Sequence, residues 1–151
     1  MVRKAMKTTW VLRRMRALGV GVASLVEFWK SEGRIHLEAN CPVWHSGLTS
    51  AQSRALSRAQ RVAMAAIAGR WAPSHTFQLQ ELGLQSLEPR REAICRRFAQ
   101  RTATDSRHQD LFTPVQNIPR QGNKVMYRQV KTRTETYYKS ALPYLTRLLN
   151  T

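Results

Sequence analysis

Residues Thr49 to Gly69 read TSAQSRALSRAQRVAMAAIAG, and this stretch decides the fold. Thr49 and Gln52 stand at the spacing of a capping box, in which each side chain satisfies an orphan amide of the other's turn. Ala55, Leu56, Ala59, Ala63, Ala66 and Ile67 then recur at three- and four-residue intervals, one apolar stripe on a helix that Gly69 closes. So many alanines leave room for a partner backbone, which predicts a second helix lying close against this one.

Toward the N-terminus, a helix is predicted from Val2 to Leu18, with Met6, Trp10, Met15 and Leu18 near helical spacing and Gly19 as its stop. A second, from Ala23 to Ala39, carries Leu25, Phe28, Trp29 and Leu37; Gly33 weakens its middle. Pro42 ends it, since the residue before a proline disfavours helix. Beyond Gly69, Trp71-Ala72-Pro73-Ser74 is a break, followed by a short helix from His75 to Leu82 that Gly83 stops. Ser86 caps a helix from Leu87 to Arg101, with Pro89 in the first turn, where a missing amide has no partner to lose. Leu87, Ile94 and Phe98 share a face there, with Cys95 beside them and buried.

From Thr102 to Thr136 the periodicity dissolves among polar residues, Pro114, Pro119 and Gly122, with a short strand around Val125 to Val130. Leu142, Leu145, Leu148 and Leu149 restore helical spacing at the end, with Pro143 near its start. The expected fold is all-α: a small irregular assembly of four to five helices with a loop-rich basic C-terminal third. Its segments are 1–101, helical; 102–136, irregular and basic; and 137–151, a short C-terminal helical piece.

Charge narrows the partner. The 151 residues hold 25 Lys and Arg against nine Asp and Glu, a net +16. Like charges repel in a compact state, so this excess points to a polyanion, RNA or DNA, as partner, with simple solubility or compositional drift as the plain alternative. Arginine outnumbers lysine, which suits bidentate contacts to phosphate and base edges. At 42% hydrophobic, the chain has enough apolar surface for a modest core. Two cysteines cannot make a disulfide framework, which favours a reducing interior, nuclear or cytoplasmic. No acid precedes Glu27, whereas Arg3, Lys4, Lys7, Arg13, Arg14 and Arg16 do; a mitochondrial address is the lesser reading of that stretch. No run approaches the roughly 20 apolar residues of a membrane span, so no membrane partner is expected.

Catalysis lacks its usual materials. Metal-dependent polymerases and nucleases need clustered carboxylates to hold ions about 4 Å apart. Here the acids are scattered, no two Asp are adjacent, and Arg91 and Arg96 are placed to neutralise Glu88 and Glu92. Cys41-x3-His45 with Cys95-x12-His108 offers four ligands acceptable to zinc, but the second spacing is poor and the halves lie far apart. A helix-face cysteine and a surface histidine are the ordinary explanation. No local pattern orients a base toward either thiol. Gly19-Val20-Gly21 lacks the third glycine and preceding strand of a phosphate loop. No metal, no cofactor, no small-molecule substrate and no enzymatic activity by this chain alone are expected.

What stands out is arginine placement. Arg54, Arg58 and Arg61 fall at i, i+4 and i+7 beside the alanine stripe. Arg90, Arg97 and Arg101 repeat that arrangement on the Leu87 helix, and Arg13, Arg14 and Arg16 cluster on the first. A helix with an apolar back and an arginine front follows a sugar-phosphate backbone naturally. For any single arginine a solvated face is an equal explanation; three such faces in one chain favour nucleic acid. These nine arginines are the candidate nucleic-acid-binding residues.

Several motifs together resemble a known family. Trp10-Val11-Leu12-Arg13-Arg14-Met15-Arg16-Ala17-Leu18-Gly19 resembles the end of the polymerase domain in the non-LTR retrotransposon reverse transcriptases of animals. Arg34-Ile35-His36-Leu37-Glu38 through Pro42-Val43-Trp44-His45-Ser46-Gly47-Leu48-Thr49 is similar to the segment that follows there. Ala59-Gln60-Arg61 through Ile67-Ala68-Gly69 fills the place of that family's Val-Gln-Arg/Lys run. Leu82-Gly83-Leu84-Gln85-Ser86-Leu87-Glu88-Pro89-Arg90-Arg91 looks like its Leu-Gly-Leu, Leu-Glu, Arg-Arg pattern, continued by Cys95 and Phe98-Ala99. Arg133-Thr134, Tyr138-Lys139-Ser140 and Ala141 to Asn150 resemble its C-terminal ending.

The resemblance, in order along almost the whole chain, implies the thumb and post-thumb region of an RNA-directed DNA polymerase. It implies RNA or DNA as partner, and an upstream polymerase domain as another. The family's fingers, palm and Asp-Asp motif have no counterpart in these residues, and the Gly69-to-His75 connection lacks the family's tyrosines. The alternative is a stand-alone basic protein derived from a mobile element, binding RNA, DNA or a protein, or a degenerate remnant without function.

Overall fold

The computed structural model describes residues 1–69, 74–115 and 125–151; the break at Trp71-Ala72-Pro73 and the punctuation at Pro119 and Gly122 lie outside them. The chain is all-α, and no strand occurs among the described residues. In chain order the helices are α1 (Val2–Ala17), α2 (Val22–Phe28), α3 (Ile35–Glu38), α4 (Cys41–Trp44) and α5 (Ser50–Ala68). They continue as α6 (His75–Glu81), α7 (Leu87–Thr104), α8 (Glu135–Tyr138) and α9 (Ala141–Asn150). The chain divides into two compact units, one of Met1–Ala39 with Thr49–Arg90, the other of Asn40–Leu48 with Arg91–Thr151.

The first unit is organised by α5. Its capping box is formed: the Gln52 amide donates to the Thr49 hydroxyl at 3.2 Å, and the Thr49 amide donates to Gln52 Oε1 at 2.9 Å. Its buried stripe is Leu56, Ala59, Gln60, Ala63, Met64, Ala66 and Ile67, while Ala55 is exposed. The close neighbour that the alanines predict is α1, which packs on α5 more extensively than any other two elements pack.

The face α1 buries is not Met6, Trp10, Met15 and Leu18. Trp10 is 61% exposed and Leu18 83%, whereas Ala5, Thr8, Thr9 and Leu12 are buried. Close approach to an alanine stripe needs short side chains on both helices, and bulk loses to fit. The two buried threonines are satisfied within their own helix, donating to the Lys4 and Ala5 carbonyls at 3.3 and 3.0 Å.

The predicted helix from Ala23 to Ala39 forms as α2 and α3 joined by a π-turn over Trp29–Gly33, in which the Arg34 amide donates to the Trp29 carbonyl at 2.8 Å. A Cβ on Gly33 would overlap the buried Trp29 ring, so the glycine is a spatial requirement. The helix ends ahead of Asn40, which is left-handed at φ 53°. Pro42 does not stop it; it stands in the first turn of α4. Ser74 caps α6 by accepting from the Phe77 amide at 3.1 Å. Buried Gln60 donates from Nε2 to the Gln85 carbonyl at 2.9 Å and accepts the Leu87 amide at 3.2 Å, an N-terminal cap for α7.

The second unit gathers Cys41, Cys95, Ala99, Phe112, Leu145 and Leu148 into its core. Along α7 the buried row is Leu87, Arg91, Cys95 and Ala99, not Leu87, Ile94 and Phe98. After α7 the chain makes a 3-10 turn over Ser106–Leu111. The strand expected over Val125 to Val130 is reduced to one antiparallel bridge, Pro114 with Tyr127. Its bonds are Val115 amide to Met126 carbonyl and Arg128 amide to Thr113 carbonyl, both 2.8 Å. Asn150 at the end of α9 accepts the Tyr127 amide at 2.8 Å and donates to its carbonyl at 2.9 Å, tying the bridge down.

Candidate nucleic-acid interface

On α5, successive residues are turned by about 100°. Arg54, Arg58 and Arg61 therefore fall within roughly 60° of one another and on the side opposite the buried stripe. All three are exposed. The helix contains no acid, so nothing along it competes with an incoming anion. The alanine face and the arginine face are two sides of one element, the first fixing the orientation of the second.

The remaining candidates separate by what holds them. Arg13 is exposed on α1, and Arg14 lies over the Trp10 ring, 5.4 Å from its centroid. Arg16 donates from Nη1 to the Ala66 and Ile67 carbonyls at 3.2 and 2.6 Å, placing a cation on the last turn of α5. Arg90 is half-buried and bonds Glu38 Oε1 at 2.6 Å, a carboxylate also 3.7 Å from Arg34. Burial first, then Arg90, lowers the pKa of Arg34. Arg16 and Arg90 thus serve the fold. Arg97 and Arg101 are exposed on α7.

The acids sort the cations further. The ion pairs among the described residues engage Lys30, Arg34, Arg90, Arg96, Arg107 and Lys139. Arg13, Arg14, Arg54, Arg58, Arg61, Arg97 and Arg101 are in none of those pairs. Glu92 takes Arg96 at 3.4 Å, as its spacing predicts. Arg91 does not pair with Glu88: it is fully buried, its guanidinium 5.8 Å from the Trp44 ring centroid and its Nε donating to His45 Nδ1 at 3.4 Å.

Arg91 is what sequence reasoning missed. Its sequence neighbours are charged, and only the i, i+4 row through Cys95 and Ala99 signals its inward direction. The same region brings two of the considered metal ligands together. The Cys41 and Cys95 thiols are hydrogen-bonded; that bond, then burial, raises the Cys95 pKa. A thiol so held is a poor nucleophile. His45 is turned to Arg91, and His108 lines a separate cleft. Among the described residues no three His, Cys, Asp or Glu side chains are grouped to hold a metal ion. Nearby Tyr144 stacks edge-on to His45 at 5.8 Å, and burial raises its pKa to about 12.

That cleft lies in the second unit, with a volume of about 630 Å³. Ile94, Arg97, Phe98, Arg101, Asp105 and His108 line it, together with Pro42 and Leu111. No helix among the described residues is long and apolar enough to cross a membrane. Comparison of the chain with protein-family models, with curated proteins and with solved structures gives no match.

Proposed function

We propose that this chain is a non-catalytic nucleic-acid-contacting segment, of the kind that follows the polymerase domain in non-LTR retrotransposon reverse transcriptases. The ordered motifs from Trp10 to Asn150 support the family. The observation that carries the binding role is the α5 face, where Arg54, Arg58 and Arg61 stand exposed, aligned, acid-free and outside every ion pair among the described residues. Arginine at this spacing meets successive phosphates along one strand, a sequence-independent contact that positions the protein without reading bases. RNA and DNA share that backbone, so both are partners at this level.

The test is a titration of the chain against RNA and duplex DNA at several salt concentrations. Engagement of about six phosphates gives a log-log slope near −5 on duplex DNA. Absence of binding at low salt removes the proposal. A metal-dependent polymerase or nuclease assay comes out blank. Family membership is read separately, from the genomic sequence upstream of Met1. An in-frame palm domain makes the chain part of a polyprotein; a promoter and untranslated leader make it a stand-alone protein.

A further inference from the structure

Phe98 is 47% exposed in the middle of α7, although Cys95 and Ala99 beside it are fully buried. Single exposed apolar side chains are ordinary, and Trp10 and Leu18 of this chain are more exposed still; what distinguishes Phe98 is that it lines a cleft together with Arg97 and Arg101. Ile94, Arg97, Phe98, Arg101 and Thr102 follow one another at alternating steps of three and one, which places them on one side of α7, and Asp105 continues the series just past its end. That side is the wall of the 630 Å³ cleft, a size within the range of small-ligand sites. Its lining combines the flat ring of Phe98 and the apolar Ile94, Pro42 and Leu111 with the guanidiniums of Arg97 and Arg101 and the imidazole of His108. Among the described lining residues the one carboxylate, Asp105, is already taken: Arg107 reaches its two oxygens at 3.2 and 2.9 Å, and the Arg107 amide adds a bond at 3.0 Å. The Thr102 hydroxyl donates to the Phe98 carbonyl at 2.9 Å, leaving its oxygen to accept.

From this arrangement we infer that the cleft is a subsite for one unpaired nucleotide of a single-stranded polynucleotide, its base stacked on Phe98 and its phosphates on Arg97 and Arg101. The inference rests on the nucleic-acid reading above and adds the strandedness. A duplex keeps its bases stacked on each other and offers the ring no free face, whereas an unpaired base offers one. Phosphate alone leaves the aromatic ring idle; an apolar ligand alone leaves the arginines idle. A nucleotide uses both.

The test is fluorescence anisotropy on the intact chain with an unstructured DNA strand, its RNA counterpart, an abasic strand of equal length and a duplex. The wild type should bind the base-bearing strands more tightly than the abasic one. Phe98→Ala should remove that preference, a loss of about five- to 150-fold, with duplex affinity unchanged as the control for folding. Phe98→Trp should keep it, and a loss confined to the RNA or DNA strand assigns the cleft to that polymer. Arg97→Gln with Arg101→Gln should weaken both strand types alike. If the wild type binds abasic and base-bearing strands equally, the subsite is overturned and the nucleic-acid reading stands. If it binds no polynucleotide at all, both fall. Displacement of the strand by an acidic peptide at lower concentration would overturn the subsite in favour of a protein partner.

Discussion

Gly69 meets two demands at once. At φ 88° and ψ 178° it occupies a region closed to side chains, and a Cβ there would come within 2.7 Å of the Arg16 guanidinium that caps α5. Gly69→Ala should therefore lower stability by about 1–3 kcal/mol in a denaturant titration. A cost no larger than that of an exposed helix-surface alanine would refute the conformational account. Arg91 makes a different kind of claim. Fully buried and covered by Trp44 and His45, it should behave as a large core side chain, and Arg91→Ala should cost about 2–5 kcal/mol. A surface arginine would lose almost nothing. His75 gives a pH signature: burial, then the positive field of Arg61, lowers its pKa below 6.5. The folded chain thus binds the proton more weakly than the unfolded one. The stability it contributes is present above pH 6.5 and is lost as pH falls through the lowered value. Relative to His75→Gln, the wild type should lose melting temperature over the interval in which pH falls from above 6.5 into the acid range. A constant difference across that interval would contradict the shift.

Elements were legible where the signal was local. The Thr49–Gln52 box, the Gly69 stop, the short helix beginning at His75 and the leucines of α9 each depend on residues within a turn or two, and each formed as its spacing predicts. Thr49→Ala should cost about 1 kcal/mol, measured by thermal melting, because one cap of the longest helix is lost. What local spacing could not fix was the choice of buried face. On α1 the bulkier residues lost to Ala5, Thr8, Thr9 and Leu12, because the partner helix sets how close the backbones come. On α7 Phe98 lost to Arg91 and Ala99. The Gln60 cap of α7 joins residues 27 positions apart, a distance at which no spacing rule applies. The Arg-Arg pair at the end of the Leu-Gly-Leu motif proved structural on both counts, Arg90 bound to Glu38 and Arg91 buried. The exposure of the α5 arginines was legible because an acid-free, alanine-backed helix has only one face left for them.

At the scale of the whole molecule, charge is the quantity that remains unexplained by folding. Five of the nine acids are committed to six cations among the described residues, and the arginines of the α5 face are outside those pairs. A net +16 is therefore not balanced within the chain, and on the proposed reading a polyanion would relieve it by releasing its own counterions. The most direct measurement is the salt dependence of duplex DNA binding, compared between the wild type and the triple variant Arg54→Gln, Arg58→Gln, Arg61→Gln. Loss of three phosphate contacts should make the log-log slope shallower by about 2.7, with an unchanged melting temperature because all three side chains are exposed. Equal slopes for the two proteins would contradict the claim that the α5 face binds the backbone.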